Sequence, residues 1–191
     1  MRGVLQASAV AAATIRLFFV VGLITPVLAM EAQAPAPDPV LHDGAAEIGR
    51  QKKLAPDFTR RDLAGQTFNL NSHRGKVVLV NFWATWCAPC LGEIRTLSAW
   101  QEKFAPDGFQ IVGISMDDEP APVKSAVRKY HVTYPIVMGD DKLAGLYGGV
   151  LGLPLSFIID SSGHIVARYQ GESDLTRMQS QIEGLLPHRQ R

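Results

Sequence analysis

Between Lys76 and Trp83 the chain reads KVVLVNFW, a run of branched and aromatic residues bounded by Gly75, the pattern of a strand buried on both faces. From Pro89 the pattern changes to a helical one, with Leu91, Ile94, Leu97 and Trp100 separated by three residues and Glu93, Arg95 and Lys103 between them. Phe109 to Met116 (FQIVGISM) is a second apolar run. Asp117-Asp118-Glu119-Pro120 then predicts a helix start, followed by Val123, Val127 and Tyr130 at spacings of four and three. Tyr134 to Met138 predicts a short strand and Asp140 to Tyr147 a short helical turn. Leu155 to Asp160 predicts a strand closed by Ser161-Ser162-Gly163, with His164 to Tyr169 returning as its hairpin partner. Met178, Ile182 and Leu185 share one face of a terminal helix over Leu175 to Leu186.

Strands alternating with helices predict an α/β domain with a largely parallel sheet covered on both faces and an antiparallel hairpin at its edge. There is no internal repeat. The first 30 residues follow another pattern: Arg2 and Arg16, no acidic side chain, then the uncharged run LFFVVGLITPVLAM from Leu17 to Met30. That run is 14 residues long, against the roughly 20 needed to cross a bilayer as a helix. Small residues at Val27-Leu28-Ala29 suit a signal peptidase, with Ala32-Gln33-Ala34 as a second site. Residues 1–29 are therefore expected to be a cleaved signal peptide or, read from Val4 to Ala29 with Arg16 tolerated, an N-terminal membrane anchor. A buried core helix there would place Arg16 in its middle without a partner. Residues 30–40, with AQAPAPDP from Ala32, read as an Ala/Pro linker, and the globular domain is expected over 41–191.

Composition narrows the function. The 191 residues carry 19 Lys and Arg against 18 Asp and Glu, so no basic surface for a nucleic acid is expected. With 47% hydrophobic residues the chain can bury a core. His42, His73, His131, His164 and His188 lack metal-ligand spacing and read as surface or structural residues. The two cysteines, Cys87 and Cys90, exclude a four-thiolate zinc site or a multi-disulfide framework within one chain.

Trp86-Cys87-Ala88-Pro89-Cys90 sets those thiols three apart across a strand-to-helix junction, where they can close a disulfide or reopen it. The helix N-terminus favours an anion at the cap, so Cys87 is the expected thiolate and nucleophile; such motifs have thiol pKa values of roughly 3.5 to 7.5. Cys90, one turn in, is expected to resolve the mixed disulfide by attacking the Cys87 sulfur. Pro89 fits the first turn because its missing amide donor is not needed there. Leu91 follows Cys90 where c-type haem attachment requires histidine, which excludes that reading.

FWATWCAPC, preceded by GKVVLVN and followed by Glu93, resembles the thioredoxin-like TlpA/ResA group of extracytoplasmic thiol-disulfide oxidoreductases, and the resemblance runs from about Ala55 to Leu186. Ala55-Pro56-Asp57-Phe58 resembles the family's opening segment, Gly65 to Gly75 its short hairpin and loop, and Val112 to Pro135 its inserted strand and helix. The resemblance implies a thioredoxin-like fold with a mixed central sheet and helices on both faces. Gly152-Leu153-Pro154-Leu155-Ser156-Phe157 resembles the segment carrying the family's cis-proline, which makes Pro154 cis and offers the Leu153 backbone to a client strand. On its residues alone Pro154 reads as a trans proline opening an edge strand. Asn81 stands where cytoplasmic thioredoxins have a buried aspartate. Glu93 matches an acidic position of the ResA-like group that tunes Cys90 or accepts its proton; on residues alone it is equally a solvated carboxylate near a helix start. Arg95 replaces a helix-kinking proline of many members. Trp86 and Pro89 border the thiols as candidate client contacts, and Trp83 reads as core.

These features predict an enzyme outside the cytoplasm, secreted or tethered, that exchanges dithiol for disulfide with protein clients in the reducing direction. A membrane thiol carrier is the implied electron donor, with no bound cofactor and no nucleic-acid partner. Two alternatives remain: a peroxiredoxin-like thiol peroxidase, and a metal-binding module of the same fold that is not an enzyme.

Overall fold

The computed structural model describes residues 53–187. The signal or anchor segment 1–29, the linker 30–40 and the expected domain start at residue 41 lie outside the described residues. The elements in chain order are β1 (Lys53–Leu54), β2 (Thr59–Arg61), β3 (Thr67–Asn69), β4 (Val77–Trp83), α1 (Ala88–Phe104), β5 (Phe109–Ser115), α2 (Pro120–Tyr130), β6 (Ile136–Met138), α3 (Asp141–Leu146), β7 (Leu155–Ile159), β8 (His164–Gln170) and α4 (Leu175–Leu185). Single 3-10 turns follow β3 and α1.

Six strands form one sheet in the order β1-β8-β7-β4-β5-β6, and β2 pairs with β3 in a separate hairpin. The run KVVLVNFW is the central strand, and all seven residues of β4 are buried. The expectation of a largely parallel sheet is corrected: only β4–β5 and β5–β6 are parallel, while β4–β7, β7–β8 and β1–β8 are antiparallel. After α3 the chain crosses to the far side of β4 and enters β7 in the opposite sense, and the tight Ser161-Ser162-Gly163 turn forces β8 to reverse again. Gly163 takes a positive φ of 84°, which a side chain would oppose. The expected hairpin over Gly65 to Gly75 lies earlier, pairing Thr59 with Asn69 and Arg61 with Thr67, and Leu70–His73 is a 3-10 turn.

Alternation along β4 builds two cores. Val77, Leu79 and Trp83 face α1, α2 and α4, whereas Val78, Val80 and Phe82 face the β2–β3 hairpin and α3. Helices therefore cover both faces. Trp100 Nε1 donates to Gln179 Oε1 at 3.0 Å and Tyr169 Oη to Gln181 Oε1 at 2.7 Å, tying α4 to α1 and to the sheet. Gly113 in β5 is set by close approach: a Cβ there would stand 3.1 Å from Trp83 Nε1 and 3.2 Å from Tyr134 Cε2. Among the described residues no helix is long and apolar enough to cross a membrane.

Candidate active site

β4 ends at Trp83, and three residues later the chain enters α1 with Cys87 as its N-cap. Cys87 is in extended conformation, and its sulfur accepts the backbone N–H of Cys90 at 3.3 Å, satisfying one of the donors that a helix start leaves free. Pro89 occupies the first turn and is exposed. Cys87 and Cys90 are joined as a disulfide with Cα atoms 5.3 Å apart. Both residues are largely covered, Cys87 5% and Cys90 2% exposed, so the two cysteines differ in helix position more than in overall exposure.

Around the pair, Trp86 is 69% exposed while Trp83 lies in the core. The Leu153–Pro154 bond is cis. Leu153 is half-buried and packs against both cores, and Leu151, two residues earlier, is 92% exposed. Pro154 O accepts the Gly171 amide at 2.8 Å, joining this segment to the loop after β8. α1 runs unbroken through Arg95, which is exposed.

Glu93 is buried at 7% exposure, which removes the reading of a solvated carboxylate. Desolvation by burial pushes its pKa from 4.5 up to about 7; a backbone contact from Ser173 opposes the rise and the charge of Glu172 adds to it. Glu93 Oε1 and Trp83 Nε1 are buried with no hydrogen-bond partner among the described residues. Tyr134 lies close enough for the Glu93 charge to raise its pKa, behind the larger effect of burial. Asn81 falls on the α1 side of the sheet by the alternation of β4, and its Nδ2 donates to Ser156 Oγ at 2.9 Å. Among the described residues no group of three His, Cys, Asp or Glu is placed to hold a metal ion.

A sequence model of the AhpC/TSA family matches residues 52–168. The chain belongs to the AhpC/TSA family. It is 32% identical over 142 residues to thiol-disulfide oxidoreductase ResA of Bacillus anthracis, covering 74% of this chain and 80% of that one. It is 30% identical over 141 residues to the thioredoxin-like protein YneN of Bacillus subtilis, with coverages of 72% and 82%. The crystal structure of a thiol:disulfide interchange protein of the thioredoxin family from Chlorobium tepidum superposes with a TM-score of 0.67 at 30% identity, over 72% of this chain and 98% of that one. The fold is thus thioredoxin-like, and the chain is a thiol-disulfide oxidoreductase of ResA/DsbE type.

The sequence pattern brings Cys87, Cys90 and Glu93 onto one helix, while Leu153 and Pro154 arrive from the loop before β7. Sequence reasoning missed Ser173 and Tyr134, because each reaches Glu93 from a loop whose course no local pattern sets. It also read Asp117 as part of a helix start, whereas α2 begins at Pro120 with no side-chain cap bond from Glu119.

Proposed function

We propose that the protein reduces disulfides of client proteins outside the cytoplasm, with Cys87 as nucleophile and Cys90 as resolving thiol. The observation that carries this reading is the Cys87–Cys90 pair closing the first turn of α1 with the buried, proton-binding Glu93 one turn further in. In the reduced enzyme the Cys87 thiolate attacks a client disulfide, forms a mixed disulfide and expels one client thiolate. Glu93 takes the Cys90 proton, the Cys90 thiolate attacks the Cys87 sulfur, and the second client thiolate leaves. Two electrons pass to the client, and the enzyme is left as the disulfide.

The exposed Trp86 and Pro89, together with half-buried Leu153 and the cis Pro154, form the client-contacting surface, where an extended client segment meets the Leu153 backbone. An exchange protein working as a reductant in an oxidising compartment needs a dedicated electron source, and a membrane thiol carrier fills that role. The basic and apolar residues 1–29 support export or tethering. The test is the reduction potential of the Cys87/Cys90 pair, equilibrated against glutathione or a stronger dithiol buffer. A value near the roughly −270 mV of thioredoxin is expected; one near the roughly −120 mV of a strong periplasmic oxidant would reverse the direction. Absence of a reversible two-electron couple would overturn the exchange reading.

A further inference from the structure

The chain between the sheet and the nucleophile is only Ala84-Thr85-Trp86, and it is held from outside by a residue that the exchange chemistry does not itself use. Asp117 lies just past the end of β5 and is buried. One carboxylate oxygen accepts the Thr85 backbone N–H at 2.9 Å, and the other accepts the Thr85 hydroxyl at 2.5 Å. The first oxygen also accepts the Ser115 hydroxyl at 2.8 Å, and the Asp117 amide donates back to Ser115 Oγ at 3.2 Å. Ser115 is fully buried and is the β5 partner of Trp83, the last residue of β4. Met116 N–H extends that ladder to Trp83 O at 2.8 Å. The carboxylate is therefore fixed to the sheet, and it grips Thr85 at two points. Thr85 in turn sits inside the turn closed by Cys87 N–H on Ala84 O at 3.2 Å.

From this geometry we propose that Asp117 is a positioning residue for the exchange reaction, acting through Thr85 to hold the turn that presents Trp86 and Cys87. The proposal rests on the assignment of Cys87 as nucleophile. Without the grip, the turn is free to rotate about Ala84 and Trp86, and the Cys87 sulfur leaves the line of the Cys90 amide that stabilises its thiolate. The β4–β5 register keeps the sheet intact, so reactivity is affected rather than the fold.

The test uses the reduced full chain and measures the rate at which iodoacetamide alkylates Cys87 at pH 7, read by peptide mass, beside urea unfolding of each variant. Thr85→Val, which keeps the shape and removes the hydroxyl, and Asp117→Asn are each expected to slow Cys87 alkylation about fivefold, the scale of losing one helix cap. Thr85→Ser is expected to stay within about twofold of the parent, and the double variant Thr85→Val/Asp117→Asn to be no slower than the slower single one, because both changes break one linkage. Parent-like alkylation in both single variants overturns the proposal, as does Thr85→Ser behaving like Thr85→Val or a double variant whose losses multiply. Preferential alkylation of Cys90 in the parent would instead refute the assignment of the nucleophile, a failure separable from that of the proposal.

Discussion

Replacing Glu93 by glutamine tests the electrostatics of the site most directly. Glu93 is 7% exposed, and burial lifts its pKa from 4.5 to about 7 in the disulfide form. A buried acid prefers its neutral form, so as pH rises past 4.5 the unfolded chain releases its proton before the native state does. Native stability therefore falls between pH 4.5 and about 7 and levels off above, the window in which the native carboxyl keeps its proton. The full shift corresponds to about 3 kcal/mol, and solvent screening of the charge shared with the exposed Glu172 lowers the expected effect to about 2 kcal/mol.

The side-chain amide of the Glu93→Gln variant has no such titration. The oxidised parent and Glu93→Gln should therefore diverge with pH in urea unfolding, the variant gaining about 2 kcal/mol on the parent between pH 4 and pH 8. At a urea slope of about 2 kcal/mol per M this is a midpoint difference of about 1 M. Oxidised protein is the right sample because Cys87 and Cys90 do not titrate as a disulfide. A parent–variant difference that stays constant across this range would refute the buried-acid argument. In the reduced enzyme, the same substitution should slow resolution of a mixed disulfide by about 100-fold, the contribution of a positioned proton acceptor. Unchanged resolution alongside the stability effect would leave Glu93 as a buried acid without a catalytic part.

Cys90→Ser should trap clients as mixed disulfides through Cys87 while Cys87→Ser does not, read on non-reducing gels; equal trapping would reverse the two roles. Gly113→Ala should destabilise the domain by about 1–3 kcal/mol in urea, because its methyl group meets Trp83 Nε1, Tyr134 Cε2 and the tip of Ile136; an unchanged midpoint would show that these neighbours give way freely. Asn81→Asp removes the Nδ2 donor to Ser156 and buries a new acid on the α1 side of the sheet, so its loss of stability should grow as pH rises from 5 to 8; a pH-independent loss would refute the argument.

The central strand and the active-site helix were legible because hydrophobic periodicity and a proline at a helix start are local signals: the run from Lys76 to Trp83 and the pattern from Pro89 both became the elements they imply. The antiparallel β7–β8 hairpin was legible from its turn, but the direction of β7 against β4 was not. Nothing in LSFII says that β7 runs against β4 rather than with it, and β1 is a two-residue strand defined only by its pairing with β8. Polar β2, Thr59–Arg61, is held by the opposite hairpin strand and carries no alternation of its own. Glu93 did leave a signal. It lies three residues after Cys90 and four before Leu97, within the buried arc of α1 rather than opposite it. Asp117 left none, because its role depends on Thr85, 32 residues away in the chain.

The placement of the proton-binding group follows from what the sheet side withholds. An amide at position 81 cannot take up a proton, and Asn81 is already engaged with Ser156 across the β4–β7 pair, so the α1 side of the central strand offers no acid at that point. The titrating carboxyl comes instead from the helix, where burial raises its proton affinity most and the loop after β8 adjusts it, Ser173 lowering and Glu172 raising it. That loop also meets the cis-proline segment, through Gly171 N–H on Pro154 O, while the Ser173 hydroxyl folds back onto Gly171 O at 3.0 Å. An aspartate on the sheet would be insulated from the surface by the packing of β4. A glutamate on the helix is instead raised by burial and adjusted by a loop that hydrogen-bonds the cis-proline segment, so a displacement of that segment alters the surroundings of the acid as well.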